Sequence, residues 1–527
     1  MTEQTHPDHH NRHSRRVALR AALAGAGVLT AGALGAAPAF GAPALVRGGR
    51  PVLTHGVQTG EVSTRSALVW ARADRPSRMV VEVARDPSFA RARLVRGPLL
   101  TPETDGTGTV RLPGLVPGGE VYYRVRAVDL DGRVASEPVT GRFRTAPVWG
   151  RDVRLVWSGD VAGQGWGINP DIGGMTAYAA MAAREPDLFL HSGDTVYADG
   201  PLAESVTLPD GRVWRNLVTP EKAKVAETLA EYRGQFAYNL LDENVRAFTA
   251  AVPVSVQWDD HEVVNNWYPG EILDLPQYAE KRVDVLAARA ARAFREWHPL
   301  GDGAPGRDSE GRIYRSFRYG PHVEVFVLDM RSHRDPNTAD RTKPGRILGR
   351  QQAHWLVREL ARSKATWKII QSDMPVGLIV PDGDDIEGVA NGLPGAPAGR
   401  ESEIAWVLRE ITRRRVRNTV WLTADVHYTA AHHYSPDRAA VGNFDPFWEF
   451  VSGPLNAGAF GPNTLDPTFG PEAVFVHAPP AANTSPMDGF QHFGELNVDG
   501  LSGELRVDLR DGSGASLWSR TLRPQRR

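Results

Sequence analysis

Six short apolar runs in this 527-residue chain each end in a polar cluster that contains a carboxylate. Runs of this length, bounded by turn residues, predict buried strands. Ligand-binding groups in α/β sheets gather where such strands end. Many carboxylates crowded at one sheet edge would repel one another unless a metal ion held them, so the pattern predicts a metal site and an enzyme. The clusters occupy residues 158–160, 191–197, 258–262, 329–331, 371–373 and 423–427.

The composition limits which chemistries are open to the chain. The formal net charge of −1 gives no electrostatic case for nucleic acid, so no nucleic-acid-binding surface is expected. Cysteine is absent, which excludes disulfides, thiolate zinc sites, iron–sulfur clusters and cysteine nucleophiles. Any metal must therefore be held by oxygen and nitrogen ligands.

The N-terminus has the features of an export signal. A twin-arginine pattern at 14–19 precedes a weakly apolar, Ala- and Gly-rich stretch, and A-x-A cleavage candidates follow at 37–39 and 42–44. The stretch is about long enough for a membrane anchor, but it is poor in leucine and interrupted by Gly, Thr and Pro. We predict a twin-arginine signal peptide over residues 1–44, recognised by the twin-arginine export machinery. The mature protein is then expected to be secreted or wall-associated, with no stable membrane anchor.

Two regions are predicted after the signal. Residues 46–147 contain short alternating segments separated by turns, as expected of a fibronectin III-like β-sandwich, which would serve as a spacer or lid wall, or bind carbohydrate. From 151 to 527 apolar runs alternate with helical periodicity within 220–248, 277–297, 349–363 and 401–415, which predicts an α/β catalytic domain.

The cluster at 191–197 fits the core requirement of a two-metal hydrolase, a carboxylate shared by both ions. Gly193 lets the strand end turn sharply, which suits Asp194 for the shared position. Tyr197, three residues on, could supply a phenolate ligand, which only a strongly acidic ion such as ferric iron stabilises well.

Two further clusters pair an aspartate with a histidine. Asp260 and His261 fit a ligand followed by a residue that donates a proton to the phosphate or the leaving group. Asp425 and His427 are separated by one residue, and alternate side chains of an extended segment point to the same side. We therefore expect both of the latter to face one site.

In order and spacing, these motifs resemble the alkaline phosphatase D (PhoD-type) family of the calcineurin-like metallophosphoesterases. The resemblance covers nearly the whole mature chain. Each motif alone is weak, but their common order is specific. The segments that carry it are 191–197, 258–267, 328–334, 423–428 and 447–454, together with the β-rich N-terminal region.

The resemblance implies a four-layer αββα sandwich preceded by the fibronectin III-like domain. It also implies hydrolysis of phosphate mono- or diesters, of small molecules or the cell envelope, by a metal-activated water at a centre holding Fe³⁺ and Ca²⁺. Carried over to this sequence, Asp194 bridges the ions and His261 is the acid or phosphate donor. The other ligands implied are Tyr197 and His427 at iron, and Asp260 and Asp425 at calcium.

One position departs from the family pattern. Family members commonly have a cysteine iron ligand after the first catalytic strand, whereas this chain reads Trp157-Ser158-Gly159-Asp160. Asp160 is the chemically able replacement, although an alignment shifted by one residue would place Gly159 there. An oxygen ligand there would make the site more like that of generic metallophosphoesterases, in which an aspartate holds this place.

Several neighbouring residues have two interpretations. Asp259 could be a ligand or a helix N-cap. Asp373, Gln371 and Ser372 are alternatives for a single position in the site. Asp329 and Arg331 are expected to form an ion pair that shapes the site wall, with a phosphate contact as the alternative for Arg331. The remaining candidates for substrate binding, which could instead cap a turn, are Asn265 and Asn266.

Two other functions compete with a secreted phosphoesterase. An exported oxidoreductase would need molybdopterin, flavin or copper-binding motifs, and none is present in the sequence. A wall-associated binding protein with an inactive phosphoesterase-like fold should have lost some of the acidic positions, but every expected metal position keeps an oxygen or nitrogen ligand. The phosphoesterase is therefore favoured.

Overall fold

The computed structural model describes residues 49–301 and 312–525. The predicted signal peptide over residues 1–44 lies outside the described residues. No helix within the two described ranges is long and apolar enough to cross a membrane.

The N-terminal region is built from strands that alternate buried and exposed residues. In β6, for example, every second side chain from Val121 to Ala127 is buried. Strands β1, β2 and β5 form the end of a larger sheet, and β4-β3-β6-β7 form a four-stranded sheet; the two share one apolar core. This confirms the predicted all-β, fibronectin III-like domain. Its strands are β1 Leu53–Gly60, β2 Ser66–Ala73, β3 Ser77–Ala84, β4 Arg93–Leu100, β5 Thr107–Pro113, β6 Glu120–Val128 and β7 Val139–Arg144.

Two large sheets follow. The first has nine strands in the order β24-β23-β22-β8-β9-β12-β1-β2-β5, and the second has seven in the order β13-β14-β15-β18-β20-β19-β21. Their strands are β8 Val153–Ser158, β9 Leu188–Ser192, β12 Val254–Gln257, β13 Arg315–Tyr319, β14 Val323–Val327, β15 Trp367–Gln371, β18 Thr419–Thr423, β19 Thr429–Tyr434, β20 Phe447–Val451, β21 Pro471–His477, β22 His492–Val498, β23 Leu505–Asp511 and β24 Ser516–Leu522. Two small hairpins are formed by β10 Ser205–Thr207 with β11 Val213–Arg215, and by β16 Pro381–Asp382 with β17 Asp385–Ile386.

The nine-stranded sheet runs through both predicted regions. Strand β1 pairs in parallel with β12 at Gly60 and Val254. The two backbones approach so closely there that a Cβ on Gly60 would lie 3.0 Å from the Val254 carbonyl oxygen. The described residues of both regions accordingly form one compact unit. A division into domains at 46–147 and 151–527 remains a prediction.

The alternation of side chains along the central strands explains the layers. In β8, Leu155 and Trp157 face the core between the two large sheets, whereas Val156 belongs to the core beneath the first group of helices. Phe326 in β14 and Ile370 in β15 face the helices on the other side. The result is the predicted four-layer αββα sandwich. Its helices are α1 Thr176–Ala182, α2 Leu229–Asn239, α3 Glu243–Ala251, α4 Val283–Trp297, α5 Gly349–Arg362 and α6 Glu401–Arg413.

The predicted helical segment at 220–248 is two helices. A capping box of Thr228 and Glu231 begins α2, and the Asp242 side chain accepts hydrogen bonds from the first backbone N–H groups of α3. The capping residues, which satisfy otherwise free N–H groups, fix where each helix starts, so periodicity alone overestimated the length.

Candidate active site

The predicted acidic clusters meet at one edge of the two sheets. Strands β8, β9 and β12 are parallel neighbours, as are β14, β15 and β18. Their carboxyl ends therefore lie together. Asp160, Asp194 and Asp260 follow the first three strands, and Asp373 and Asp425 follow β15 and β18. The position of the site predicted from the apolar runs is confirmed.

Left-handed backbone conformations turn the chain into this site. The φ angle is 65° at Asp160, 49° at Asp194, 65° at Asp425 and 59° at His427. Such angles are uncommon outside glycine and concentrate at functional sites. They also correct one expectation. The segment around Asp425 and His427 is a tight bend and not extended, because each of these residues reverses the chain locally.

The first group of candidate ligands consists of Asp160, Asp194 and His427, with one ligand atom from each lying within 4.8 Å of the others. Asp160 is fully buried, and both of its carboxylate oxygens lack a hydrogen-bond partner. An ionised carboxylate in this state is costly unless a cation is bound. Burial, followed by the charge of Asp259, raises the pKa of Asp160 well above its ordinary range. These three residues fit a metal ion. Asp160, and not the neighbouring Gly159, contributes the carboxylate to this group.

Two more groups continue from the first. Asp194, Asp260 and His261 form the second, and Asp259, Asp260 and Asp425 form the third, by the same 4.8 Å distance. Asp194 is common to the first two groups and Asp260 to the last two. Burial, followed by the charge of Asp260, raises the pKa of Asp194. Adjacent groups of ligands that share a carboxylate in this way suit two neighbouring metal ions.

Tyr197 lies beside the first group. Its hydroxyl is 2.8 Å from Nε2 of His427, and its ring packs against His261 with centroids 4.1 Å apart. Burial raises the pKa of Tyr197 well above 10, since the phenolate would be desolvated and close to Asp194 and Asp160. The hydroxyl therefore lies next to the first group of candidate ligands, and the role of Tyr197 as an iron ligand remains a prediction.

His261 is held by Asp199, a residue that the sequence did not single out. Nδ1 of His261 is 2.8 Å from Oδ1 of Asp199, and Oδ2 accepts the backbone N–H of Asn265 at 2.8 Å. Burial alone would lower the pKa of His261, but the charges of Asp199 and Asp260 outweigh it and raise the pKa to about 10. The available signal was a second aspartate five residues after Asp194.

Arg331 lies beneath the carboxylates and is fully buried. Its guanidinium donates to Asp259 at 2.6 Å, pairs closely with Glu387, and is 3.8 Å from both Asp260 and Asp425. The predicted ion pair with Asp329 is wrong. The Asp329 carboxylate instead accepts the backbone N–H of Arg331 at 3.2 Å, because the Arg331 side chain extends towards the stronger negative charge. The alternative contact of Arg331 with phosphate remains a prediction.

The N-cap interpretation of Asp259 is also wrong. Residues 261–266 form turns and no helix begins there. Glu262, which the sequence did not single out, holds the turn instead: its carboxylate accepts the backbone N–H groups of Asp259 at 2.8 Å and of Thr195 at 2.6 Å. Asp373 belongs to none of the three ligand groups, and its Oδ1 accepts a hydrogen bond from Gln257 at 2.8 Å.

A cleft of about 230 Å³ opens onto the clusters. Asn265 and Asn266 line it, as predicted for substrate-binding residues, and the backbone N–H of Asn266 donates to Asp260 at 2.6 Å. Their contact with substrate remains a prediction. The cleft also has an apolar wall, formed by Val380, Pro381, Val426 and Phe460.

Two solved structures share this architecture. A structure of PhoD matches with a TM-score of 0.67 and 22% identity, covering 91% of this chain and 90% of its own. The purple acid phosphatase PPD1 from yellow lupin (Lupinus luteus) seeds matches with a TM-score of 0.56 and 16% identity, covering 90% of this chain and 74% of its own. The fold is that of the metallophosphoesterase-type α/β enzymes.

Sequence comparison narrows this class. The family model for PhoD-like phosphatase matches residues 155–509, and that for the PhoD-like phosphatase N-terminal domain matches 40–147. Alkaline phosphatase D of Bacillus subtilis (strain 168) is 30% identical over 431 residues, covering 77% of this chain and 70% of the relative. The chain belongs to the PhoD-like phosphatase family and is a hydrolase of phosphoric esters, which confirms the resemblance seen in the sequence.

Proposed function

We propose that the protein is an exported, metal-dependent phosphoesterase that hydrolyses phosphate mono- or diesters. The observation that carries the metal dependence is Asp194, which belongs to two adjacent groups of candidate ligands. Its carboxylate is buried and lies among other acidic groups, so a cation on each side would offset the negative charge.

The candidate ligands divide into two sides. Asp160, Tyr197 and His427 would hold one ion, for which Fe³⁺ is proposed, and Asp260 and Asp425 would hold Ca²⁺, with Asp194 between them. When bound, two such ions polarise phosphoryl oxygens and lower the pKa of a bound water towards ~7. Oxygen donors suit Ca²⁺, and imidazole, as at His427, also suits iron.

His261 would complete the reaction by protonating the leaving-group oxygen as the P–O bond breaks. Its Nδ1 is committed to Asp199, which leaves Nε2 as the donor. The carboxylates of Asp199 and Asp260 raise the pKa of His261, which favours the protonated ring as the proton donor. Asp199 is thus a positioning residue that fixes both the orientation of the ring and its charge.

Export is proposed from the twin-arginine pattern at 14–19, which would deliver the protein to the cell exterior or wall. We propose residues 46–147 and 151–527 as the N-terminal and catalytic domains. The proposed substrates are soluble phosphate esters or those of the cell envelope.

Metal analysis combined with assays on p-nitrophenyl phosphate and bis-p-nitrophenyl phosphate tests the function. Asp194→Asn should lose metal and at least about 10³-fold in rate, since even groups that only support a ligand are worth 10–100-fold. Asp171→Asn is a control, because that aspartate is exposed and pairs with Arg215 outside the site. Full metal content and a near-normal rate in Asp194→Asn would reject the two-metal assignment.

A further inference from the structure

A strongly basic cavity of about 550 Å³ lies away from the catalytic edge. It is formed where α5 and α6 end, where β15 and β18 begin, and where the chain's last described residues cross the surface. Asp373 and Asp425 follow the opposite ends of the same two strands, which rise about 3.3 Å per residue. The cavity is therefore separate from the active site. Its cationic lining residues are Lys364, Lys368, Arg414, Arg415 and Arg417.

No carboxylate lines this basic cavity among the residues that the structure describes. A second polar cavity, of about 420 Å³, offers a contrast: four arginines line it together with five carboxylates, and Arg144 and Arg151 both pair with Asp187. Within residues 49–301 and 312–525, Lys364 and Arg415 form no ion pair, while Arg414 contacts Glu410 at 3.3 Å. The charges of Lys364 and Arg415 are thus not neutralised within the described chain.

Helix termination does not account for this concentration of charge. Cations favour a helix C-terminus, but the effect falls off within the last turn. The last turn of α6 already holds Arg413, and Arg415 and Arg417 lie beyond the end of the helix. Like charges gathered in one cavity also oppose one another. A ligand of opposite charge would remove that repulsion.

The backbone at Arg415 supplies a second, independent observation. Its N–H donates to the Thr412 carbonyl at 2.9 Å, and the N–H of Val416 donates to the Ile411 carbonyl at 3.0 Å. This is a Schellman motif, whose left-handed position usually holds glycine. Arg415 occupies that position with φ of 55°. A charged side chain is therefore present where the backbone itself favours glycine.

We propose that the basic cavity binds an oligomeric phosphate anion, as a site distinct from the catalytic centre. Guanidinium and ammonium groups are the usual partners of phosphate oxygens. The spread of cations over two helix ends and the chain terminus suits several linked phosphates and not a single one. The tail is held at the cavity by two hydrogen bonds between Asn418 and Gln525, of 3.2 and 2.8 Å. Binding there does not require hydrolysis, so it stands apart from the proposed function.

Calorimetric titration of the full-length protein with tripolyphosphate tests the site. Magnesium is added in excess so that tripolyphosphate does not remove the metal ions proposed for the active site. Arg415→Gly should weaken binding about fivefold, the upper range for one exposed charge pair. Glycine suits the left-handed position, so the melting temperature should stay level or rise. Lys364→Gln is a second variant at an exposed position. Arg506→Gln, in the second cavity, is the matched control and should bind as the wild type does.

Lysine acetylation followed by mass spectrometry locates the ligand. Tripolyphosphate should slow acetylation of Lys364 but not of Lys343, whose side chain is 76% exposed and lies elsewhere. The site would be rejected if both cavity variants bind with unchanged Kd, or if Lys364 is not protected. Equal affinity for orthophosphate would reject recognition of linked phosphates, and tighter binding of a single-stranded oligonucleotide would assign the cavity to nucleic acid instead.

Discussion

Two clusters of buried charge in this molecule are balanced in opposite ways. Glu495, on β22, is fully buried and accepts hydrogen bonds from Arg184 at 2.7 Å, Arg510 at 2.8 Å and Asn497 at 2.7 Å. Burial opposes its ionisation, but these donors outweigh burial and lower the pKa of Glu495. This arginine-paired cluster supplies its own counter-charge.

The catalytic cluster supplies only part of its counter-charge, from Arg331 and His261. Burial and the neighbouring carboxylates raise the pKa of Asp160, Asp194 and Asp425. The guanidinium of Arg331, which lies beneath them, is already engaged by Asp259 and Glu387. Burial of a carboxylate is therefore not in itself a functional signal. The signal is a group of buried carboxylates that outnumber the cations of the fold around them, here Arg331 and His261, because the remaining negative charge must be balanced from outside the chain.

Removal of metal should have the largest effect of the changes considered, and it should act on the catalytic cluster and not on the arginine-paired cluster. A chelated protein should lose all phosphoesterase activity, and its stability should fall as pH rises. The sign follows from the raised pKa values: the folded, metal-free protein binds more protons than the unfolded chain, so stability is fully present below the ordinary aspartate pKa of 3.8 and is lost above it. For each carboxylate, a folded-state pKa higher by one than that of the unfolded chain corresponds to about 1.4 kcal/mol of unfolding free energy.

Melting temperatures of the chelated and metal-loaded proteins, measured between acidic and alkaline pH, check this prediction. The loaded protein should lack the decline. A metal-free protein that melts at the same temperature throughout, or that keeps its rate on p-nitrophenyl phosphate, would contradict it.

Substitution of Asp160 tests the shortage of positive charge in the catalytic cluster at a single residue. Asp160→Ala should release metal and lower the rate at least about 10²-fold, as expected of a ligand when supporting groups alone are worth 10–100-fold. In the metal-free state the variant should be more stable than the wild type near neutral pH, because an unpaired buried carboxylate has been removed. Asp160→Cys, which restores the family's residue, should retain more metal than the alanine variant. Unchanged metal content and rate in Asp160→Ala would leave the position outside the centre.

The sequence predicted which residues follow buried strands, and the fold confirmed it. Strand ends can be read from apolar runs, and the parallel pairing of β8, β9 and β12 brings Asp160, Asp194 and Asp260 to one edge. The four-layer order was implied by the family resemblance, and the structure accounts for it because alternate residues of each strand face opposite cores.

Contacts between distant loops could not be predicted in this way. His261 and Asp199 are 62 residues apart in sequence, and Arg331 meets Glu387 from another loop. Their meeting depends on left-handed turns such as that at Asp194, which local propensity does not specify for aspartate. The N-terminal strands join the catalytic sheet through the pairing of Gly60 with Val254, and no pattern in the sequence predicts that pairing.

Asp199 offers a smaller test, because it acts through His261. Asp199→Asn should lower the rate about 10-fold, in the range found for supporting hydrogen bonds. It should also lower the pKa of His261, since the charge of Asp199 raises it. The fall in rate at alkaline pH should therefore begin at a lower pH, while the metal content stays the same. A pH–rate profile separates this from a structural defect: an unshifted profile would leave Asp199 with no role in the charge of His261.

Substitution of Arg184 should have the smallest effect, and it is a control for the comparison of the arginine-paired cluster with the catalytic cluster. Arg184→Gln removes one donor from Glu495, but Arg510 remains at 2.8 Å and Arg154 at 3.4 Å. Arg184 is 34% exposed, so the loss should be no more than about 1 kcal/mol of unfolding free energy. Activity and metal content should not change, because the remaining arginines still balance the charge. If denaturant unfolding showed a loss as large as that caused by chelation, the arginine-paired cluster would be no better balanced than the catalytic one, and buried negative charge would no longer distinguish the metal site.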